Sequence, residues 1–132
     1  ILGLLFVTST VFADGFRCEG ERYSAGIYNY TKPKKGTKNP AVLYVYENKI
    51  GTIATIRGNK ILKETREKTV NFEGLANHEI SGRYVYVVLS VAKKAQESGS
   101  LEGSHLGKLS LSQNNNSITE KLICERYIKS ER

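Results

Sequence analysis

The sequence predicts an all-β domain, an antiparallel sandwich or small barrel of about eight to nine strands. Short runs rich in Val, Ile, Thr and Tyr recur between turn signals along the chain, the composition that a pleated, half-buried surface favours. The run 83–91 alternates with a period of two. Val85, Val87, Leu89 and Val91 fall on one face, and Tyr84, Tyr86, Val88 and Ser90 on the other. The third observation is a pair of cysteines, Cys18 and Cys124, near the two ends of the chain.

The chain opens ILGLLFVTSTVFA, a stretch without charge that ends on Val11-Phe12-Ala13. That is the layout of a signal peptide's apolar region and cleavage site. Residues 1–13 are therefore expected to be a signal peptide remnant, and 14–132 a single β domain, periplasmic or secreted. No stretch reaches the roughly 20 apolar residues that a membrane-spanning helix needs, so no transmembrane segment is expected. In an oxidising compartment an even pair of cysteines is expected to join. The bond would tie the first strand to the last. Closing a loop of roughly 100 residues contributes about 4–5 kcal/mol in the chain-entropy model.

Strands are expected near 16–23, 25–31, 41–47, 50–57, 60–65, 68–73, 83–92, 105–112 and 118–129. Asn48-Lys49 and Gly58-Asn59 look like tight hairpins, which makes 41–65 a three-stranded meander. In the last run Ile118, Leu122, Cys124 and Ile128 share one face, interrupted by Glu120 and Arg126. Cys124 is thus expected to point into the core. Longer loops are expected at 31–40 (TKPKKGTKNP) and 93–104, and a polar turn at 113–117 (QNNNS).

Few residues carry chemistry. His78 and His105 are the two histidines, and Asp14 is the single aspartate. No Gly-x-Ser-x-Gly elbow, P-loop, EF-hand or dinucleotide fingerprint occurs. The glutamates mostly neighbour Lys or Arg. No catalytic residue, metal-ligand set or cofactor is expected.

The charge balance and the tyrosines are more informative. Lys and Arg outnumber Asp and Glu by 20 to 13, a formal charge of +7. Basic clusters fall at Lys32, Lys34, Lys35 and Lys38, and at Arg57, Lys60, Lys63, Arg66 and Lys68. Such a field attracts an acidic protein or an anionic envelope polymer; export argues against intracellular nucleic acid. Tyrosines repeat at i and i+2 (28/30, 44/46 and 84/86). If their strands are neighbours, the rings form a stripe suited to binding. Tyr44, Tyr46, Tyr84 and Tyr86, with Lys32, Lys34, Lys35 and Lys38, are the candidate binding residues.

Phe16-Arg17-Cys18 near the start and Leu122-Ile123-Cys124-Glu125-Arg126-Tyr127 near the end resemble small exported bacterial β proteins whose last strand carries a cysteine followed by Arg-Tyr. The resemblance covers the two ends and implies a periplasmic or secreted β fold. In size, charge class and disulfide use the chain is also similar to exported inhibitors of lysozyme. The expected function is that of an exported, non-enzymatic binding or structural domain, recognising an anionic or protein partner through loops or a Tyr/Lys face. The alternatives are an inhibitor of a secreted hydrolase, presenting the 31–40 loop, and a lipocalin-like carrier of a small ligand.

Overall fold

Among the described residues, nine strands form one antiparallel sheet that curls into a half-barrel. The structure, a computed structural model, describes residues 11–30, 36 and 38–130. In chain order the strands are β1 (Val11–Glu19), β2 (Tyr23–Tyr28), β3 (Val42–Glu47), β4 (Gly51–Arg57), β5 (Leu62–Thr65), β6 (Thr69–Asn77), β7 (Tyr84–Ala92), β8 (His105–Gln113) and β9 (Asn116–Ser130). Around the sheet they run β4-β3-β2-β1-β9-β8-β7-β6-β5. Chain neighbours are thus ladder neighbours everywhere except between β4 and β5, and β1 meets β9. Strand β1 starts at Val11, inside the expected signal segment; residues 1–10 lie outside the described residues.

Alternation along each strand builds the core. Val85, Val87, Leu89 and Val91 of β7 are buried, as their period of two requires. Phe72 and Ala76 from β6, Leu109 and Leu111 from β8, Leu43 and Val45 from β3, and Ala25 and Ile27 from β2 join them. The turn between β8 and β9 reduces to Asn114-Asn115, since Gln113 pairs with Asn116. Asn114 takes φ 50°, a left-handed conformation that asparagine tolerates and a two-residue hairpin needs.

Cys18 and Cys124 are direct cross-strand partners on β1 and β9. Their sulfurs are bonded, their Cα atoms are 3.9 Å apart, and both residues are fully buried. The disulfide joins the first and last strands, as expected, and lies inside the core. Room for it comes from β8: a Cβ at Gly107 would stand 2.6 Å from Cys124 Sγ.

Two local expectations are corrected. Tyr28 and Tyr30 do not share a face. Strand β2 ends at Tyr28, and Asn29 at φ 56° redirects the chain. Tyr30 packs edge-on against Phe72 and stacks on Phe16, both core residues. Nor is 41–65 a three-stranded meander. A 3-10 turn, Gly58–Lys60, carries the chain from β4 to β5 without reversing it. Strand β4 is antiparallel to β3, and β5 is antiparallel to β6. Followed round the sheet, these pairings make β4 and β5 run in the same direction.

The consequence is a seam. Strand β5 occupies the edge of β6 over Val70–Glu73 only. The rest of β6 meets β4 with no ladder between them. A bulge prepares β4 for this contact: Thr52 pairs with Tyr46 and Ala54 with Val45, leaving Ile53 as the extra residue. Ile53 and Ala54 are consequently both buried. The Ile53 carbonyl accepts the Glu79 backbone N–H at 2.8 Å. Farther along, Ile56 packs on Gly74, where a Cβ would stand 2.7 Å from the Lys60 carbonyl oxygen.

Candidate functional site

The structure does not gather the expected tyrosines into one stripe. Tyr44 and Tyr46 lie on β3, Tyr84 and Tyr86 on β7, and β2, β1, β9 and β8 separate them in the sheet. Each pair instead acts within its own wall.

On the β3 wall, Tyr44 stacks on Tyr28 with centroids 5.5 Å apart, and their hydroxyls are 3.2 Å apart. Tyr127 meets Tyr28 edge-on at 5.2 Å, and the Arg17 guanidinium lies over the Tyr127 ring at 5.4 Å. Burial first, and then the hydrogen bond with Tyr28, push the Tyr44 hydroxyl well above the usual tyrosine range. These rings spend their faces on one another. They pack the outer surface of β1, β2, β3 and β9 and leave little open platform. Tyr46 remains more exposed.

On the β7 wall, the Tyr86 hydroxyl donates to Glu73 at 2.7 Å, and that bond raises its pKa, with burial adding to it. Among the described residues, Tyr84 has no such partner. It is 65% exposed, beside Leu75 at 54%, and Ile80 in the turn between β6 and β7 is 62% exposed. Cross-strand register explains the cluster. Tyr84 is opposite Asn77 and Tyr86 opposite Leu75, so Leu75 points outward while Phe72 and Ala76 point in. An exposed apolar group of this kind is informative where single exposed residues are not.

This cluster borders the seam. A groove of about 460 Å³ runs there, lined by Thr55, Ile56, Arg57 and Lys60 on one side and Leu75, Ala76, Asn77, Glu79 and Tyr84 on the other. A second groove of about 410 Å³ is lined by Lys38, Asn39, Pro40, Ala41, Val42, Arg57, Gly58 and Asn59. Arg57 lines both, so the two adjoin. Among the described residues, Lys38, Arg57 and Lys60 make no ion pair. The one carboxylate lining either groove, Glu79, accepts a hydrogen bond from Thr55 Oγ1 at 3.3 Å. Three cations against one acid give the seam wall a net positive field.

Of the expected binding residues, the fold thus brings Tyr84 and Lys38 to adjoining grooves. Lys32, Lys34 and Lys35 lie outside the described residues. Leu75 was not expected at the site. The signal for Leu75 was its parity: in Asn71-Phe72-Glu73-Gly74-Leu75-Ala76 it is the apolar residue out of step with Phe72 and Ala76. Arg57 and Lys60 stood out only as members of a basic cluster.

The histidines are used by the fold. His78 Nδ1 accepts the backbone N–H groups of Ile80 and Ser81 at 3.2 and 3.3 Å, shaping the turn after β6. His105 Nδ1 is 2.8 Å from the Ala92 carbonyl, and its ring meets Phe16 edge-on. Among the described residues no group of three His, Cys, Asp or Glu side chains forms a metal site, and no helix is long and apolar enough to cross a membrane. No family model, curated protein or solved structure matches the chain.

Proposed function

We propose that this chain is an exported, non-enzymatic binding domain, periplasmic or secreted, that recognises an acidic protein partner through the seam wall. One observation carries the reading: Arg57 and Lys60, without an ion pair among the described residues, face exposed Leu75 and Tyr84 across one groove. Cations alone would serve an anionic envelope polymer equally well. The apolar shelf adds nothing for such a polymer and favours a protein, whose side chains bury against it. The buried disulfide fits an oxidising compartment. Both histidines hold backbone or carbonyl groups, which fits a role without catalysis.

The carrier reading loses ground on volume. Phe72, Ile27, Leu43, Leu89, Leu109 and Leu122 fill the interior. The recess that reaches the core past Tyr23, Ile53, Val85 and Leu111 holds about 200 Å³, below the roughly 300–1,000 Å³ of small-molecule sites. The inhibitor reading keeps one support. Lys38, from the lysine-rich loop, lines the groove beside Arg57, so a hydrolase with an acidic cleft is one form the partner takes.

Selection of displayed random peptides on the immobilised domain tests the proposal. The wild type is expected to enrich acidic sequences carrying apolar residues, and Arg57→Glu with Lys60→Glu to lose them. Basic consensus sequences, no enrichment, or enrichment indifferent to the double substitution would each refute it.

A further inference from the structure

We infer that the partner docks as a strand, pairing its backbone with the free edge of β4. This rests on the reading of the seam wall as the binding surface and adds the mode of recognition.

The argument begins with hydrogen-bond direction. Gly58 donates its N–H to Ala41, the residue before β3, at 2.8 Å. Backbone groups alternate sides along an extended chain, so bonded and non-bonded pairs alternate along an antiparallel ladder. Since Gly58 bonds toward β3, Arg57 turns its N–H and C=O the other way, as does Thr55, opposite Tyr44. The Ile53 carbonyl, which reaches Glu79 across the seam, faces that same side. Strand β4 therefore presents Thr55 and Arg57 to the groove as an edge without a ladder.

Exposed edges of this kind are templates for strand addition. Proteins commonly cover them, and β5 covers β6 only as far as Glu73. The occupant's chemistry follows from the two faces it would meet. Outward-pointing side chains come beside Arg57 and Lys60 and would be acidic. Inward-pointing ones come against Ile56 and would be apolar. A segment alternating acidic and apolar residues satisfies both. Entry displaces both the bond from Glu79 to Ile53 and the packing of Ile56 on Gly74, and replaces them with a row of backbone bonds.

The test uses the full chain and a blocked heptapeptide of alternating glutamate and valine. The readouts are affinity and residue-resolved amide exchange. Two further versions of the peptide carry N-methyl groups on alternate residues, one on the odd set and one on the even. Strand addition predicts that one methylated set weakens binding by at least about tenfold while the other leaves it nearly unchanged. It also predicts that the Thr55 and Arg57 amides gain protection as the Glu79 amide loses it. If both methylated peptides bind like the parent, with those amides unchanged, strand addition is overturned and the acidic-partner reading stands, provided that Arg57→Glu with Lys60→Glu still weakens binding. If the parent peptide does not bind, or binds the double variant equally, both fall.

Discussion

The carbonyl of Ile53 accepts the backbone N–H of Glu79 at 2.8 Å, tying β4 to the turn after β6 across a line where no ladder runs. This bond and the packing of Ile56 on Gly74 close the sheet where the chain itself passes from β4 to β5. The closure depends on close approach. Gly74→Val places side-chain atoms against the Lys60 carbonyl and Ile56, and is expected to cost about 1–3 kcal/mol as overpacking. Thermal unfolding of the variant measures this; an unchanged midpoint would show that β4 and β6 do not touch there.

The disulfide lies wholly inside the core and closes a span of 106 residues. Replacing Cys18 and Cys124 together by Ala is expected to cost about 2–5 kcal/mol, read from denaturant unfolding. Alkylation without reductant is expected to leave the intact mass unchanged. Two alkyl groups on the native chain would contradict the bond.

Tyrosine ionisation sets an alkaline limit. Burial raises the pKa of Tyr44, with the Tyr28 hydrogen bond adding to it, and burial also raises that of Tyr23. For Tyr86 the bond to Glu73 is the main cause. A raised folded-state value favours the folded protein fully below the ordinary tyrosine pKa of about 10. That advantage is lost as pH rises from there toward the folded-state value, because the unfolded chain releases its proton first. The midpoint of unfolding is therefore expected to fall above about pH 10, and less steeply in Tyr44→Phe. Equal slopes for variant and wild type would show that Tyr44 ionises freely.

Tyr84 and Tyr86 separate function from stability. Tyr84→Ser removes an exposed ring and is expected to change stability by no more than about 0.5 kcal/mol. Tyr86→Ser removes the partner of Glu73 and a half-buried ring, and is expected to cost about 1–2 kcal/mol. Matched unfolding curves decide; a large loss for Tyr84→Ser would place that ring in the packed structure and remove it from the docking surface.

Much of the fold was legible because it rests on period and pairing. The alternation of Val85 to Val91, the inward parity of Cys124, and the polar turn at 113–117 all have local causes, and the structure keeps them. The tyrosine stripe was not legible. Whether Tyr44 and Tyr84 are neighbours depends on the order of strands in the sheet, which no local pattern encodes. The direction of β5 was equally hidden. Gly58-Asn59 carries hairpin composition, yet its path depends on β6 offering an edge distant in sequence. The seam, and with it the union of Arg57, Lys60, Leu75 and Tyr84, exists only once that choice is made.

The most direct test is a titration of the isotope-labelled chain with the alternating glutamate–valine peptide, followed by backbone amide shifts. The seam account predicts the largest shifts from Thr55 in β4 through the 3-10 turn to Lys60, and in Leu75, Glu79 and Tyr84, with little change at Tyr28, Tyr44 and Tyr127. Shifts centred on that tyrosine cluster, with the seam residues silent, would contradict it.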